Sequence, residues 1–127
     1  MSKKIAAVYC RTAVADDTAI HMQKMMLTDS VREHLGDTDI VYYIDNGYSG
    51  VNCDRPGFGQ LNQDIADGKV GWVFTRSLSR ICRNTCKLLE WISGLSQKDV
   101  IFIVMDQQIG TEELAELGPA ILREEII

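Results

Sequence analysis

Residues 4–44 read KIAAVYCRTAVADDTAIHMQKMMLTDSVREHLGDTDIVYYI, and this stretch decides the fold. The runs KIAAVYC at 4–10 and IVYYI at 40–44 are short, apolar and rich in β-branched or aromatic residues, which is strand composition. Between them Ile20, Leu27, Val31 and Leu35 recur at the spacing of one helix face. A strand, a long helix and a second strand make one unit of a parallel sheet.

The same alternation continues downstream. VGWVF at 70–74 and VIFIVM at 100–105 supply two more expected strands. PGFGQLNQDIADG at 56–68 opens on a proline suited to a first helical turn and closes on Gly68. Ile81, Thr85, Leu88, Ile92 and Leu95 repeat at steps of four and three, which predicts one amphipathic helix. The expected fold class is therefore α/β, a three-layer sandwich around a mostly parallel central sheet with right-handed crossovers. Ligands in such sheets sit at the carboxyl ends of the strands, where Arg11, Asp45, Arg76 and Asp106 lie. The tail TEELAELGPAILREEII at 111–127 has Leu114, Leu117 and Ile121 at helical spacing, interrupted by Gly118 and Pro119.

A length of 127 residues fits one domain, and 46% hydrophobic with 24% charged residues is globular composition. The apolar run from Ile5 to Cys10 is too short for a membrane span or the core of a signal peptide, so the expected location is cytoplasmic, with no membrane partner. Cys10, Cys53, Cys82 and Cys86 show no CxxC pair and read as reduced, buried thiols. Cys82 and Cys86 stand one helical turn apart, but His21 and His34 are distant in sequence, so neither metal nor cofactor is expected. A net charge of −5 argues against a self-sufficient nucleic-acid binder, because phosphate neutralisation needs a basic surface.

Two stretches carry candidate chemistry. In TRSLSRICRN (75–84), a helix capped by Ser77 or Ser79 places Arg80 and Arg83 three apart in its first turns, a spacing suited either to phosphate or to plain solvation. In DNGYSGVNCDRPGF (45–58), a glycine-rich loop carries Ser49 between Gly47 and Gly50, with Arg55 just before the next helix. It has neither the GxGxxG pattern of dinucleotide sites nor the lysine of a P-loop.

These residues resemble a family. VYCR after an N-terminal strand, Gln23 in the first helix, DNGYSGVNCDRPGF, DGKVGWVFTRSLSRICRN and VIFIVMD, in this order, are similar to the catalytic domain of the serine site-specific recombinases, the resolvases, invertases and large serine integrases. The resemblance runs from about Ile5 to Ile109. It implies transesterification on DNA without metal or nucleotide: a serine hydroxyl attacks a backbone phosphate, leaving a phosphoserine link to the 5′ end and a free 3′ hydroxyl. Strands rejoin after subunits exchange places in a tetramer. It also implies that arginines stabilise the transition state, with Arg11, Arg80 and Arg83 matching the family cluster, Arg55 a further site arginine, and Gln23, Asp45 and Ser49 supporting positions.

The family serine falls two residues after Arg11, where this chain has Ala13. A methyl group cannot attack phosphorus. Thr12 faces away from Tyr9, Arg11 and Ala13 by strand alternation, and Ser49 and Ser79 do not occupy the family position. The resemblance thus implies a chemically inert catalytic domain, ending near the start of the family's long interface helix. DNA and homo-oligomer partners, dimer to tetramer, belong to the full-length parent. The alternatives are a natural short pseudo-recombinase that regulates active subunits, or a small phosphate-binding α/β domain. The arginines are expected to converge on a pocket floored by Ala13, with Arg55 on its rim.

Overall fold

The computed structural model describes residues 4–50, 54–82 and 85–105, together with a two-residue strand at 121–122. Element order is β1 (Ile5–Thr12), α1 (Asp17–Leu35), β2 (Ile40–Asn46), α2 (Pro56–Ala66), β3 (Val70–Thr75), α3 (Leu78–Ile81), α4 (Thr85–Gln97), β4 (Ile101–Val104) and β5 (Ile121–Leu122). All strand pairs are parallel and the order across the sheet is β2-β1-β3-β4-β5. Arg83 and Asp106 lie outside the described residues.

Strand alternation sorts the core into two layers. Ala6, Val8, Cys10, Phe74 and Ile103 pack against Ile20, Leu27 and Val31 of α1. Ala7, Tyr9, Tyr43, Val73, Phe102 and Val104 point the other way, against α2, α3 and α4 through residues such as Phe58, Leu61, Ile81 and Ile92. Both faces of the sheet are covered, which is why the central strands read as continuous apolar runs. The expected three-layer α/β sandwich is what forms. No described helix is long and apolar enough to cross a membrane.

Two expectations need correction. The helix read as one piece through Ile81 and Leu95 is two, because Cys82 is extended (φ −161°, ψ 138°) and ends α3 after a single turn. The apolar spacing survives the break, since Leu88, Ile92 and Leu95 still face the core. Within the tail read as helical, Ile121 and Leu122 instead form a parallel edge strand on Phe102 and Ile103. They follow Gly118 and Pro119, which interrupt helical continuity, and β4 presents a free edge for them. The other tail residues lie outside the described residues. Cys10 and Cys82 are buried as expected, whereas Cys86 is exposed on α4.

Phe74 has no solvent exposure and bridges α1 and the sheet centre. Phe74→Ala is expected to lower unfolding free energy by about 3–5 kcal/mol, measured by urea titration. A loss below about 1 kcal/mol would contradict this packing.

Candidate active site at the carboxyl ends of β1 and β3

In the order β2-β1-β3, the chain leaves β1 toward one side of the sheet and β3 lies on the other, so the crevice at this switch point is where such folds hold ligands. Arg11 and Thr12 end β1 there, Ala13 follows in an exposed bend, and Arg76, Ser77 and α3 follow β3.

Arg11 is buried, and both its backbone and its side chain are held. Its N–H donates to Gln23 Oε1 at 3.2 Å while Gln23 Nε2 donates back to its carbonyl at 3.1 Å, which ties the end of β1 to α1. Gln23 sits on the apolar face of α1 and is itself buried, so this reciprocal pair satisfies an amide that would otherwise be costly there. The guanidinium donates through Nε to the Arg80 carbonyl (3.0 Å), through Nη1 to the Tyr48 carbonyl (2.8 Å) and through Nη2 to the Ser79 carbonyl (2.8 Å).

Arg55 reaches the same place from the other side. Its Nη1 donates to the Arg80 carbonyl at 3.3 Å and its Nη2 to the Ile81 carbonyl. The guanidinium carbon lies 4.8 Å from the Phe58 ring centroid and 5.6 Å from that of Tyr9, in cation–π range. Arg55 is only 3% exposed, so it lies beneath the site and not on a rim. The Nε atoms of Arg55 and Arg80 are buried without a hydrogen-bond partner among the described residues.

Arginine capping accounts for the broken helix. In an uninterrupted helix the carbonyls of Ser79, Arg80 and Ile81 would accept amides four residues on. Here they accept guanidinium N–H groups, which satisfy orphan carbonyls as a basic C-cap does. Ser77 is extended like an N-cap, but its hydroxyl does not cap α3; it lies 3.0 Å from the Ser79 hydroxyl.

Asp45 is fully buried beside Arg11 in the β1–β2 register. It accepts from the Tyr9 hydroxyl at 2.7 Å and from the Gly57 and Phe58 amides at 2.7 and 2.9 Å. A strand carboxylate thus caps the first turn of α2 and fixes where Arg55 leaves the loop. Gly57 is required at this contact, because a Cβ there would stand 2.9 Å from Asp45 Oδ1 and 2.9 Å from the Ile44 carbonyl.

A second network holds the bend that carries Ala13. Asn46 Oδ1 accepts from Thr12 Oγ1 (2.7 Å) and the Asp16 amide (2.8 Å), and Asn46 Nδ2 donates to Asp17 (2.9 Å). Thr12 Oγ1 also accepts from the Gly47 amide at 3.1 Å. The Thr12 hydroxyl is therefore engaged in structure, on the α1 side of the sheet. Burial pushes the Cys10 thiol up to about 12, with Lys24 and Arg80 partly opposing, so it is not a thiolate near neutrality. No group of three His, Cys, Asp or Glu side chains that could hold a metal occurs among the described residues.

The structure thus brings together Arg11, Arg55, Gln23, Asp45 and the backbone of Arg80, and sets Ala13 and Ser49 on the exposed surface beside them. Tyr9, Asn46 and Gly57 also hold this site, although no motif in the sequence marks them. Tyr9 shares strand parity with Arg11, and Gly57 follows the helix-opening proline; each is a signal available in sequence. Asn46 carries none.

Comparisons with known proteins agree with this fold. Residues 6–121 match the family described as "Resolvase, N terminal domain". No curated protein matches the chain. Among solved structures, the N-terminal catalytic domain of TP901-1 integrase is 22% identical with a TM-score of 0.77, covering 90% of this chain and 89% of that one. The C-terminal catalytic domain of ISC1926 TnpA, an IS607-like serine recombinase, is 25% identical with a TM-score of 0.69, covering 87% and 75%. A resolvase family site-specific recombinase from Streptococcus pneumoniae is 23% identical with a TM-score of 0.67, covering 91% and 83%.

Burial, then the hydrogen bond to Asp45, raises the Tyr9 hydroxyl above its ordinary value near 10, with Arg55 and Arg11 opposing. A raised folded-state value means stability is fully present below the unfolded pKa and is lost as pH rises beyond it, since only the unfolded chain ionises there. Tyr9→Phe should therefore be less stable than the native chain by about 1–3 kcal/mol at pH 7, with the gap narrowing above about pH 10. Denaturant titrations at pH 7 and at about pH 10.5 check this; a gap that widened with pH would contradict it.

Proposed function

We propose that this chain, which belongs to the resolvase N-terminal domain family, is a serine recombinase catalytic domain that handles the DNA backbone through its arginines but cannot cut it. The observation that carries this reading is the meeting of Arg11 and Arg55 at the Arg80 carbonyl, directly beside the bend that presents Ala13.

Guanidinium forks gathered at one end of the sheet suit the recognition of an anion. A phosphate oxygen is a stronger acceptor than a peptide carbonyl, and Arg can meet two of its oxygens at once. Arg80 lies in α3, and the resemblance of its sequence to the family's arginine cluster implies a role for Arg83 as well. Together they would supply the positive charge that offsets the phosphorane-like transition state. Gln23 and Asp45 act indirectly, the first by holding the backbone of Arg11 and the second by fixing the turn that delivers Arg55. Ser49 stands on the exposed loop after β2 and supports the phosphate path.

Cleavage in this site needs a hydroxyl oxygen that forms a bond to phosphorus while the 3′ oxygen leaves and takes up a proton. Ala13 has no such oxygen. The Thr12 hydroxyl is turned into the Asn46 network and is not a replacement. The chain then contributes a docked, non-cutting catalytic domain. Ala13 equally favours a second reading, a regulatory subunit that assembles with active ones.

Ala13→Ser tests the proposal. Joined to a recombinase DNA-binding region, the Ser form should give a covalent protein–DNA adduct on a cognate site, visible as a protease-sensitive band in denaturing gels. The Ala form should give none. The absent hydroxyl removes the covalent route altogether, whereas losing one stabilising donor costs about a hundred- to a thousandfold. An adduct from the Ala form would identify another nucleophile and refute inertness. No adduct from the Ser form, with DNA binding demonstrated, would favour the regulatory subunit.

A further inference from the structure

We propose that the outer edge of β2 is a homotypic docking surface, on which a second copy of this chain pairs antiparallel through a two-fold axis at Tyr42. This surface is separate from the catalytic crevice and from the long interface helix that the family resemblance implies.

β2 ends the sheet, with β1 as its one neighbour among the described strands. It is seven residues long and has neither Lys nor Pro, the usual protections of an edge strand. Its exposed positions are apolar: Val41, Tyr42 and Ile44 are each more than a third exposed, and Met25 of α1, beside Tyr42, is 55% exposed.

The backbone selects the register. Asp39 accepts from the Ala6 amide and Gly47 donates to the Thr12 carbonyl, each at 2.9 Å, so odd-numbered residues of this segment turn their peptide groups toward β1. By strand alternation, Ile40, Tyr42 and Ile44 turn theirs outward. An antiparallel pair centred on an outward residue makes Tyr42 face Tyr42 of the second copy as a hydrogen-bonded pair. Ile40 then faces Ile44 of the second copy, and Ile44 faces its Ile40, again in hydrogen-bonded positions.

The side chains agree with that register. IVYYI reads nearly the same in both directions about Tyr42. On the α1 face the cross-strand pairs become Ile–Ile, Tyr–Tyr and Ile–Ile, the β-branched and aromatic pairs that stabilise sheets. At the margin Lys24 packs over the Tyr42 ring and Thr28 bonds its hydroxyl, with Asp29 beside them. A two-fold axis at Tyr42 reverses the order of Lys24, Thr28 and Asp29 in the second copy, which sets opposite charges on the two sides of the seam. Seven residues span only about 23 Å, so the contact is smaller than a stable interface and the dimer should be weak.

Sedimentation velocity of the native chain should show a reversible monomer–dimer equilibrium with a dissociation constant on the order of tens to hundreds of micromolar. Tyr42→Lys sets like charges opposite each other at the axis and should raise that constant by about tenfold or more. A native chain that stays monomeric to about 1 mM would overturn the proposal and leave the edge to an extended segment of another protein. So would a folded Tyr42→Lys variant that dimerises like the native chain. Cysteine cross-linking decides the matter even if Tyr42→Lys fails to fold. In a background with Cys53→Ser and Cys86→Ser, Tyr42→Cys should oxidise to a disulfide dimer, because hydrogen-bonded partners have Cα atoms about 5.5 Å apart. Val41→Cys should not, its counterpart lying about 8 Å away along the offset register. Equal yields at both positions, or a higher yield at position 41, would overturn the register.

Discussion

Two buried guanidinium groups hold three consecutive carbonyls, and the site depends on that grip. Arg11 comes from the end of β1 and Arg55 from the turn before α2, while the carbonyls of Ser79, Arg80 and Ile81 belong to α3. A four-residue helix has no stability of its own. Its position comes from the arginines below it and from Leu78 and Ile81, which anchor it in the core. Charge-assisted hydrogen bonds contribute about 1.5–3 kcal/mol each. Losing either arginine would also strand carbonyls in a partly buried place.

Burying two like charges side by side is unfavourable unless each finds partners, and the surroundings supply them. Carbonyl dipoles converge on both guanidinium groups, and the faces of Tyr9 and Phe58 lie against Arg55. Asp45 stands nearby, yet it takes hydrogen bonds from Tyr9 and the first turn of α2. It thus offsets local positive charge without sitting on either guanidinium fork in the hydrogen bonds described.

Most of the sheet could be read from sequence, because apolar runs of five to seven residues and helical spacing are local signals. Alternation along β1 correctly separated Tyr9 and Arg11 from Thr12, which explains why the Thr12 hydroxyl ends in the Asn46 network. The break after Ile81 was not legible. The periodicity of Ile81, Thr85, Leu88, Ile92 and Leu95 is that of one helix, whereas the groups that interrupt it lie 69 and 26 residues away in the chain. The burial of Arg55 was likewise hidden, since nothing beside it in sequence reveals two aromatic faces and the α3 carbonyls. The two strand residues at Ile121–Leu122 were masked by an apparent helical spacing that Gly118 and Pro119 interrupt.

β2 shows how one strand can serve two separate purposes. Its odd residues turn peptide groups to β1, and among them Tyr43 and Asp45 point into the protein toward α2. Its even residues turn peptide groups outward and carry Tyr42 and Ile44 on the α1 face. Because side chain and backbone alternate together with period two, a change at Tyr42 or Ile44 meets the outer edge, and a change at Asp45 meets the arginine site. Asn46 is the exception: it has the parity of the outer edge but closes the strand, where the sheet ends and its amide reaches across to Thr12 and Asp16. Contacts along the edge therefore meet the bend that carries Ala13 at that last residue.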